Sequence, residues 1–257
     1  MNKSEPIIEV KDVSIKLGND WVHKNLSLSI KKGEIIAIVG GSGSGKTTLL
    51  REILMLQRPT SGSIRVFNQE MVNASSKTLL AVQKRLGVLF QQNALFSSLT
   101  LLENTSFPLK EHTNLDAKTI RELAALKIML AGLPIESASK YPSELSGGMQ
   151  KRAALSRAIV LDPELLFLDE PTAGLDPVSA GGLDELIVNL RNTMGLTVVI
   201  VTHDMDTLWT VTDRVAFLGE GKVLCVDTMA NLVKNPHPLI QKFFKGERGR
   251  TAESIYH

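Results

Sequence analysis

The chain has one cysteine, Cys225, among 257 residues, so no disulfide can form within it. Aromatic residues are scarce, at 5%, which leaves the core to aliphatic side chains. Charge of one sign is also missing. The 29 Lys and Arg stand against 27 Asp and Glu, and a net charge of +2 gives no electrostatic basis for nucleic-acid binding or strong membrane adsorption. No window approaches the ~18 uninterrupted apolar residues that a spanning helix needs. Residues 1–9 lack the charged-then-apolar pattern of a secretory signal. These absences predict a soluble, cytoplasmic protein in a reducing compartment. If it serves a membrane process, another chain must cross the membrane. Repeats, low-complexity blocks and long linkers are absent too. What is present in bulk is a hydrophobic fraction of 43%, enough for one large α/β domain.

Residues 40–47 read Gly-Gly-Ser-Gly-Ser-Gly-Lys-Thr, which fits G-x-x-x-x-G-K-[ST]. The apolar run 35–39 precedes them and the helical run 47–54 follows, so the context is strand, glycine loop, helix. Gly40, Gly43 and Gly45 let backbone N–H groups turn inward onto an anion, with Gly41, Ser42 and Ser44 completing the loop. The helix N-terminus, with Thr47 and Thr48 in its first turn, adds partial positive charge. Lys46 is expected to reach the β- and γ-phosphates of ATP, and the Thr47 hydroxyl to hold Mg²⁺.

The first part of the chain reads as antiparallel. Val13, Ile15 and Leu17 alternate with polar residues, as do Leu26, Leu28 and Ile30. Residues 59–62 read as a turn into a strand over 63–67. A middle stretch, about residues 93–149, reads as a helical insertion containing a helix capped by Asp116, with Ile120, Leu123, Leu126 and Leu130 on one face. From residue 149 strands and helices alternate, with Gly195 as a helix stop. This pattern predicts an α/β fold with a mainly parallel sheet, an N-terminal antiparallel β subdomain and a helical insertion.

Ligands of open α/β sheets bind beyond the carboxyl ends of the strands, and four apolar runs here end in residues suited to nucleotide chemistry. Run 35–39 ends in the glycine loop, and run 88–90 in Gln91. Run 165–168 ends in Asp169-Glu170, and run 198–201 in Thr202-His203. Pro171 ends the third strand, leaving Glu170 free to act as general base on the attacking water, with Asp169 assigned to Mg²⁺. His203 is placed to touch the γ-phosphate, with Asp204 capping the helix that follows. Gln91 suits Mg²⁺ or the attacking water, and on the residues alone its neighbour Gln92 is an equal candidate. Ser146-Gly147-Gly148 opens a second helix, with Ser146 as N-cap and exposed backbone N–H groups. One nucleotide needs only one such helix tip. The economical arrangement is a homodimer in which each Ser146 loop closes the other subunit's glycine loop.

In this order, the glycine loop, Gln91, Leu-Ser-Gly-Gly-Met at 145–149, Leu-Leu-Phe-Leu-Asp-Glu at 165–170, Ala-Gly-Leu-Asp at 173–176 and His203 resemble an ATP-binding cassette (ABC) transporter ATPase. The resemblance spans residues 7–245. It implies a RecA-like P-loop NTPase core at 1–92 and 150–245, with the helical subdomain between, and it places Gln91 rather than Gln92 in the site. It also implies two ATPs sandwiched between two subunits, with Asp176 linking the paired sites and a groove near Gln91 receiving a membrane partner. Two positions depart from the family. Leu17 stands where an adenine-stacking aromatic is usual, so either Trp21 stacks on the base or an apolar contact holds it. Gly41 stands where many relatives have Pro.

Residues 90–100, with Glu103-Asn104, Phe107-Pro108-Leu109 and Glu111-His112-Thr113, are similar to Mla-type phospholipid-transport ATPases. That resemblance implies a cytoplasmic subunit, peripheral on the inner membrane and driving lipid between the membranes of a Gram-negative envelope. Its partners would be an integral membrane permease, an MCE lipid-binding protein and a STAS-domain protein. Import of an amino acid or other small solute is the alternative, and a soluble ABC protein acting on DNA or ribosomes a third reading. The tail at 246–257 is polar and aperiodic. It reads as disordered, with bracing of the neighbouring subunit as the alternative.

Overall fold

The computed structural model describes residues 6–244. The tail expectations for 246–257 lie outside the described residues. The chain forms two compact units, residues 1–83 with 197–257, and residues 84–196.

In the first unit, β1 (Pro6–Leu17) and β2 (Asp20–Lys31) form the expected antiparallel hairpin. Val13, Ile15, Leu26, Leu28 and Ile30 are buried, while Leu17 at the hairpin end is exposed. The strand β3 (Ile35–Gly40) leads through the glycine loop into helix α1 (Lys46–Ile53). Next come β4 (Ser61–Val66), the short β5 (Gln69–Glu70) and α2 (Ser76–Gln83). β4 pairs antiparallel with β1 and begins at Ser61. Ser61 and Gly62, expected in a turn, therefore belong to the strand. Gly62 has φ +100° and passes so close to β1 that a Cβ there would lie 2.6 Å from the Val13 Cα. Its sequence signal was that of a strand irregularity rather than a turn.

The second unit holds β6 (Leu86–Leu89), α3 (Leu101–His112), α4 (Ala117–Leu130), α5 (Gly147–Ala158), β7 (Leu165–Asp169) and α6 (Pro177–Met194). β6 and β7 pair in parallel. Asp116 caps α4 as expected, accepting from Lys118 and Thr119 N–H. The buried face differs from the expected one. Ile120, Ala124 and Ile128 are buried, whereas Leu126 and Leu130 are more than 40% exposed. The i, i+4, i+8 row wins because small Ala124 lets the helix approach its neighbours closely. Lys127 lies buried on the same helix, its ammonium paired with Asp162. α3 was not foreseen, because Phe107-Pro108 reads as a break. It is secured upstream by a Thr100–Glu103 capping box and by buried Asn104, whose amide donates to the carbonyls of Phe96, Leu99 and Thr100. Gly195, at φ +66°, ends α6 as predicted.

The chain returns to the first unit with β8 (Thr197–Val201), α7 (Met205–Thr210), β9 (Arg214–Gly219), β10 (Lys222–Asp227), α8 (Met229–Leu232) and α9 (Pro238–Phe244). β3 lies between β8 and β9, parallel to both, and β10 runs antiparallel on β9. Every residue of β3 and β8 is buried, as strands covered on both faces require. Among the described residues, no helix is long and apolar enough to cross a membrane.

Candidate functional site

The four polar strand ends belong to two pairs of parallel strands, one pair in each unit. In the first unit β3 pairs with β8 as far as Ile38 and Val201, and Gly40 and His203 each follow two residues later in the chain. In the second β6 pairs with β7 as far as Leu89 and Leu168, and Gln91 and Glu170 each follow two residues later in the chain.

The glycine loop is shaped by residues that cannot carry a side chain. Gly40, Gly43 and Gly45 have φ of +153°, +76° and +94°. A Cβ on Gly40 would strike the Leu218 carbonyl oxygen of β9. On Gly45 it would strike the ring of His23 and lie 2.9 Å from Val22 Cγ1. The Lys46 ammonium donates to the carbonyls of Gly40 and Gly41 at 2.9 and 3.1 Å, so it stands over the loop. Ser44 Oγ is buried without a hydrogen-bond partner inside the loop. This orphaned hydroxyl and the side-chain-free cradle fit a phosphate group. Thr47 is exposed and Thr48 half-buried in the first turn of α1.

A cavity of about 970 Å³ opens beside the loop, with Trp21, Gly41, Ser42, Gly43 and Ser44 among its walls. Trp21 is 46% exposed there, and Leu17 does not line it. His203 is exposed beyond β8, and Asp204 caps α7 by accepting from Asp206 N–H.

In the second unit, β7 ends at Asp169, which is buried, and Glu170 follows at φ +50°. The left-handed backbone at a glutamate is a strained conformation of the kind that clusters at active sites. Gln91 and Gln92 are both exposed. Ser146 caps α5 by accepting from Met149 N–H at 3.4 Å. Neither Gly147 nor Gly148 has positive φ. A Cβ on either would meet nothing closer than 3.6 Å, so nothing within the chain demands glycine there. Asp176 caps α6, and its carboxylate accepts from the Ser179 hydroxyl and N–H. These two bonds, the hydroxyl's first, hold Asp176 below the ordinary carboxylate range. Among the described residues no three His, Cys, Asp or Glu gather as a metal cluster.

Two arrangements escaped the sequence reading. Lys151 is buried in α5 and donates from Nζ to the carbonyls of Gln91 and Glu170. Beneath the glycine loop, His23 Nδ1 and Glu52 Oε2 are hydrogen-bonded at 2.7 Å, both side chains fully buried. A lysine one helical turn past Gly148 and a glutamate three residues after the apolar Leu49 in α1 were the available signals.

Residues 23–173 match the ABC transporter family. The chain is 40% identical, over 95% of its length and 92% of the relative's, to the intermembrane phospholipid transport system ATP-binding protein MlaF of Haemophilus influenzae. It is 37% identical to the probable ribonucleotide transport ATP-binding protein mkl of Mycobacterium leprae, over 94% of its own length and 69% of that protein's. Among solved structures, the dimeric bacterial ABC transporter cassette MJ0796 superposes with a TM-score of 0.79 at 33% identity, over 86% of this chain and 98% of that one. The same cassette is known as a post-hydrolysis dimer bound to ADP and Pi, at 32% identity and the same TM-score and coverage. The chain thus belongs to the ABC transporter family as an ATP-binding, ATP-hydrolysing subunit.

Proposed function

We propose that the chain is the motor of a phospholipid transporter, acting as a homodimer on the cytoplasmic face of an inner membrane. The observation that carries this reading is the extent of the likeness to MlaF, 40% identity across 92% of that protein, against 37% across 69% of mkl. A permease would cross the membrane, with an MCE lipid-binding protein and a STAS-domain protein as further partners. ATP binding closes the dimer, hydrolysis reopens it, and the motion drives the permease.

In this reading the loop amides of residues 40–45 and the Lys46 ammonium bind the β- and γ-phosphates, and Trp21 stacks on adenine. Thr47, Gln91 and Asp169 would hold Mg²⁺. One carboxylate with a hydroxyl and an amide suits this ion, which takes the rest of its shell from phosphate oxygens and water. When bound, it neutralises charge on those oxygens. Glu170 orients and deprotonates the attacking water, and His203 hydrogen-bonds the γ-phosphate. Ser146, Gly147 and Gly148 contact the nucleotide held by the second copy, and Asp176 links the paired sites. The lack of any need for glycine within the chain at 147 and 148 supports that assignment.

The test is purification of the intact membrane complex, followed by mass spectrometry of what it carries. A permease, a lipid-binding partner and bound phospholipid are expected. A ribonucleotide-binding partner with no phospholipid would replace this reading with small-solute transport.

A further inference from the structure

Lys151 lies in α5, five residues beyond the Ser146 cap, about 7.5 Å along the helix at ~1.5 Å per residue. It is 4% exposed. Its ammonium donates 2.9 Å to the Gln91 carbonyl and 3.1 Å to the Glu170 carbonyl. A lysine ammonium has three donors, and two of them bind the main chain just beyond the ends of β6 and β7. A buried, strongly hydrated cation is costly to keep unless its position is used.

Its position is distinctive. Glu170 holds φ +50°, which side-chain-bearing residues avoid. That torsion sets where the Cα–Cβ bond points and so where the carboxylate goes. A strained torsion persists only where surroundings over-determine it, and the bond from Lys151 fastens the Glu170 peptide itself. The second bond fastens the neighbouring strand end at Gln91. α5 is capped by Ser146 and runs as one helix from Gly147 to Ala158, so the tip and the clamp belong to one rigid element.

We propose that Lys151 is a positioning residue for hydrolysis, clamping the carbonyls of Gln91 and Glu170 so that the serine-capped helix aims both reacting side chains. This rests on the reading of Glu170 as the general base. Motion of the helix tip is thereby transmitted to the acid end without passing through the nucleotide. The clamp sets the hydrolysis step and leaves ATP affinity alone, because neither bond involves the glycine loop.

The test uses the full-length chain with Lys151→Met, Lys151→Gln, Lys151→Arg and Glu170→Gln, reading ATP affinity, KM and kcat. Lys151→Met is expected to keep KM and affinity within about twofold while kcat falls about 10- to 100-fold, since displacing a reacting group by ~1 Å costs on the order of 10². Lys151→Arg, which restores a cation with several donors, is expected to recover most of the rate. In a Glu170→Gln background Lys151→Met should lower the residual rate no further, because both changes remove one function. If Lys151→Met does not fold, Lys151→Gln takes its place, with a smaller kcat loss at unchanged KM. Wild-type kcat in the folded neutral variant overturns the proposal, as does a loss that appears in KM or adds fully to that of Glu170→Gln. The underlying reading fails separately, if Glu170→Gln hydrolyses ATP at the wild-type rate.

Discussion

The two units each bring a pair of adjacent parallel strands to a polar end, and they hold those ends by opposite means. At Gly40 and Gly45 the loop lies against the Leu218 carbonyl and the His23 ring with no room for a Cβ, and at Gly43 the backbone takes φ +76°, so the shape comes from side chains that are missing. At Glu170 the proposed general base needs its side chain, so glycine cannot supply the left-handed backbone, and a buried ammonium fastens the peptide instead. A site that only receives phosphate can be made of main chain. One that must remove a proton needs a carboxylate, and the fold supports the strain that comes with it.

The harshest way to break this comparison is Gly40→Ala. The new methyl would overlap the Leu218 carbonyl and come within 2.7 Å of Ser44 Oγ, and neither the backbone of β9 nor the loop can retreat without losing its register. Destabilisation of about 3 kcal/mol or more is expected, with ATP binding abolished, measured by thermal unfolding and a nucleotide-binding isotherm. Glu170→Gln attacks the other end and should separate the two. The isosteric amide keeps the backbone and the cradle, so ATP binding persists while hydrolysis drops by about 10²- to 10⁴-fold. Turnover at the wild-type rate would remove the base assignment.

The same contrast explains what was legible in the sequence. Glycine-made geometry leaves a pattern, so the loop at 40–47, its flanking strand and helix, and the Gly195 stop could all be read directly. Two-faced burial leaves apolar runs, so β3, β7 and β8 were legible as well. Geometry made by a hydrogen bond between distant residues leaves no pattern. Nothing in Gln91 or Glu170 points to Lys151, 60 and 19 residues away along the chain. α3 was hidden for a related reason. Pro108 signals a break, and although the Thr100–Glu103 capping box marks the start of the helix locally, the Asn104 bonds to the preceding loop are visible only once that loop is folded. The buried face of α4 differs from the expected one because close packing selects Ala124 and leaves Leu126 and Leu130 exposed.

A finer way to probe the cradle starts from what lies beneath it. His23 and Glu52 share one hydrogen bond, and the remaining polar atom of each, Nε2 and Oε1, is buried without a partner. Glu52→Leu alone strands both ring nitrogens of His23 and is expected to cost about 3 kcal/mol in chemical denaturation. Combining it with His23→Phe removes every polar atom of the pair and refills the volume. That double variant should recover the wild-type midpoint or exceed it, since a buried polar pair is often no better than its apolar equivalent. If the double variant is as unstable as the single one, the pair is supporting the Gly45 turn through its hydrogen bond and the cradle is not held by side-chain absence alone.

The smallest expected effect concerns the cap of α6, where Asp176 accepts 2.6 Å from the Ser179 hydroxyl and 3.0 Å from its N–H. These bonds favour the charged form and lower the folded-state pKa. A carboxyl lowered on folding stabilises the protein above its ordinary range, and the contribution disappears as pH falls through the folded value. Ser179→Ala removes the stronger of the two bonds and keeps the other. The Asp176 titration followed by NMR should then move upward toward the ordinary range. The acid side of the stability profile should flatten, and the melting temperature at neutral pH should fall only slightly, because the carboxylate is exposed and water replaces the lost partner. A titration that stays in place would mean that the backbone N–H alone holds Asp176, and the second unit would then resemble the first in relying on main chain at a site-forming turn.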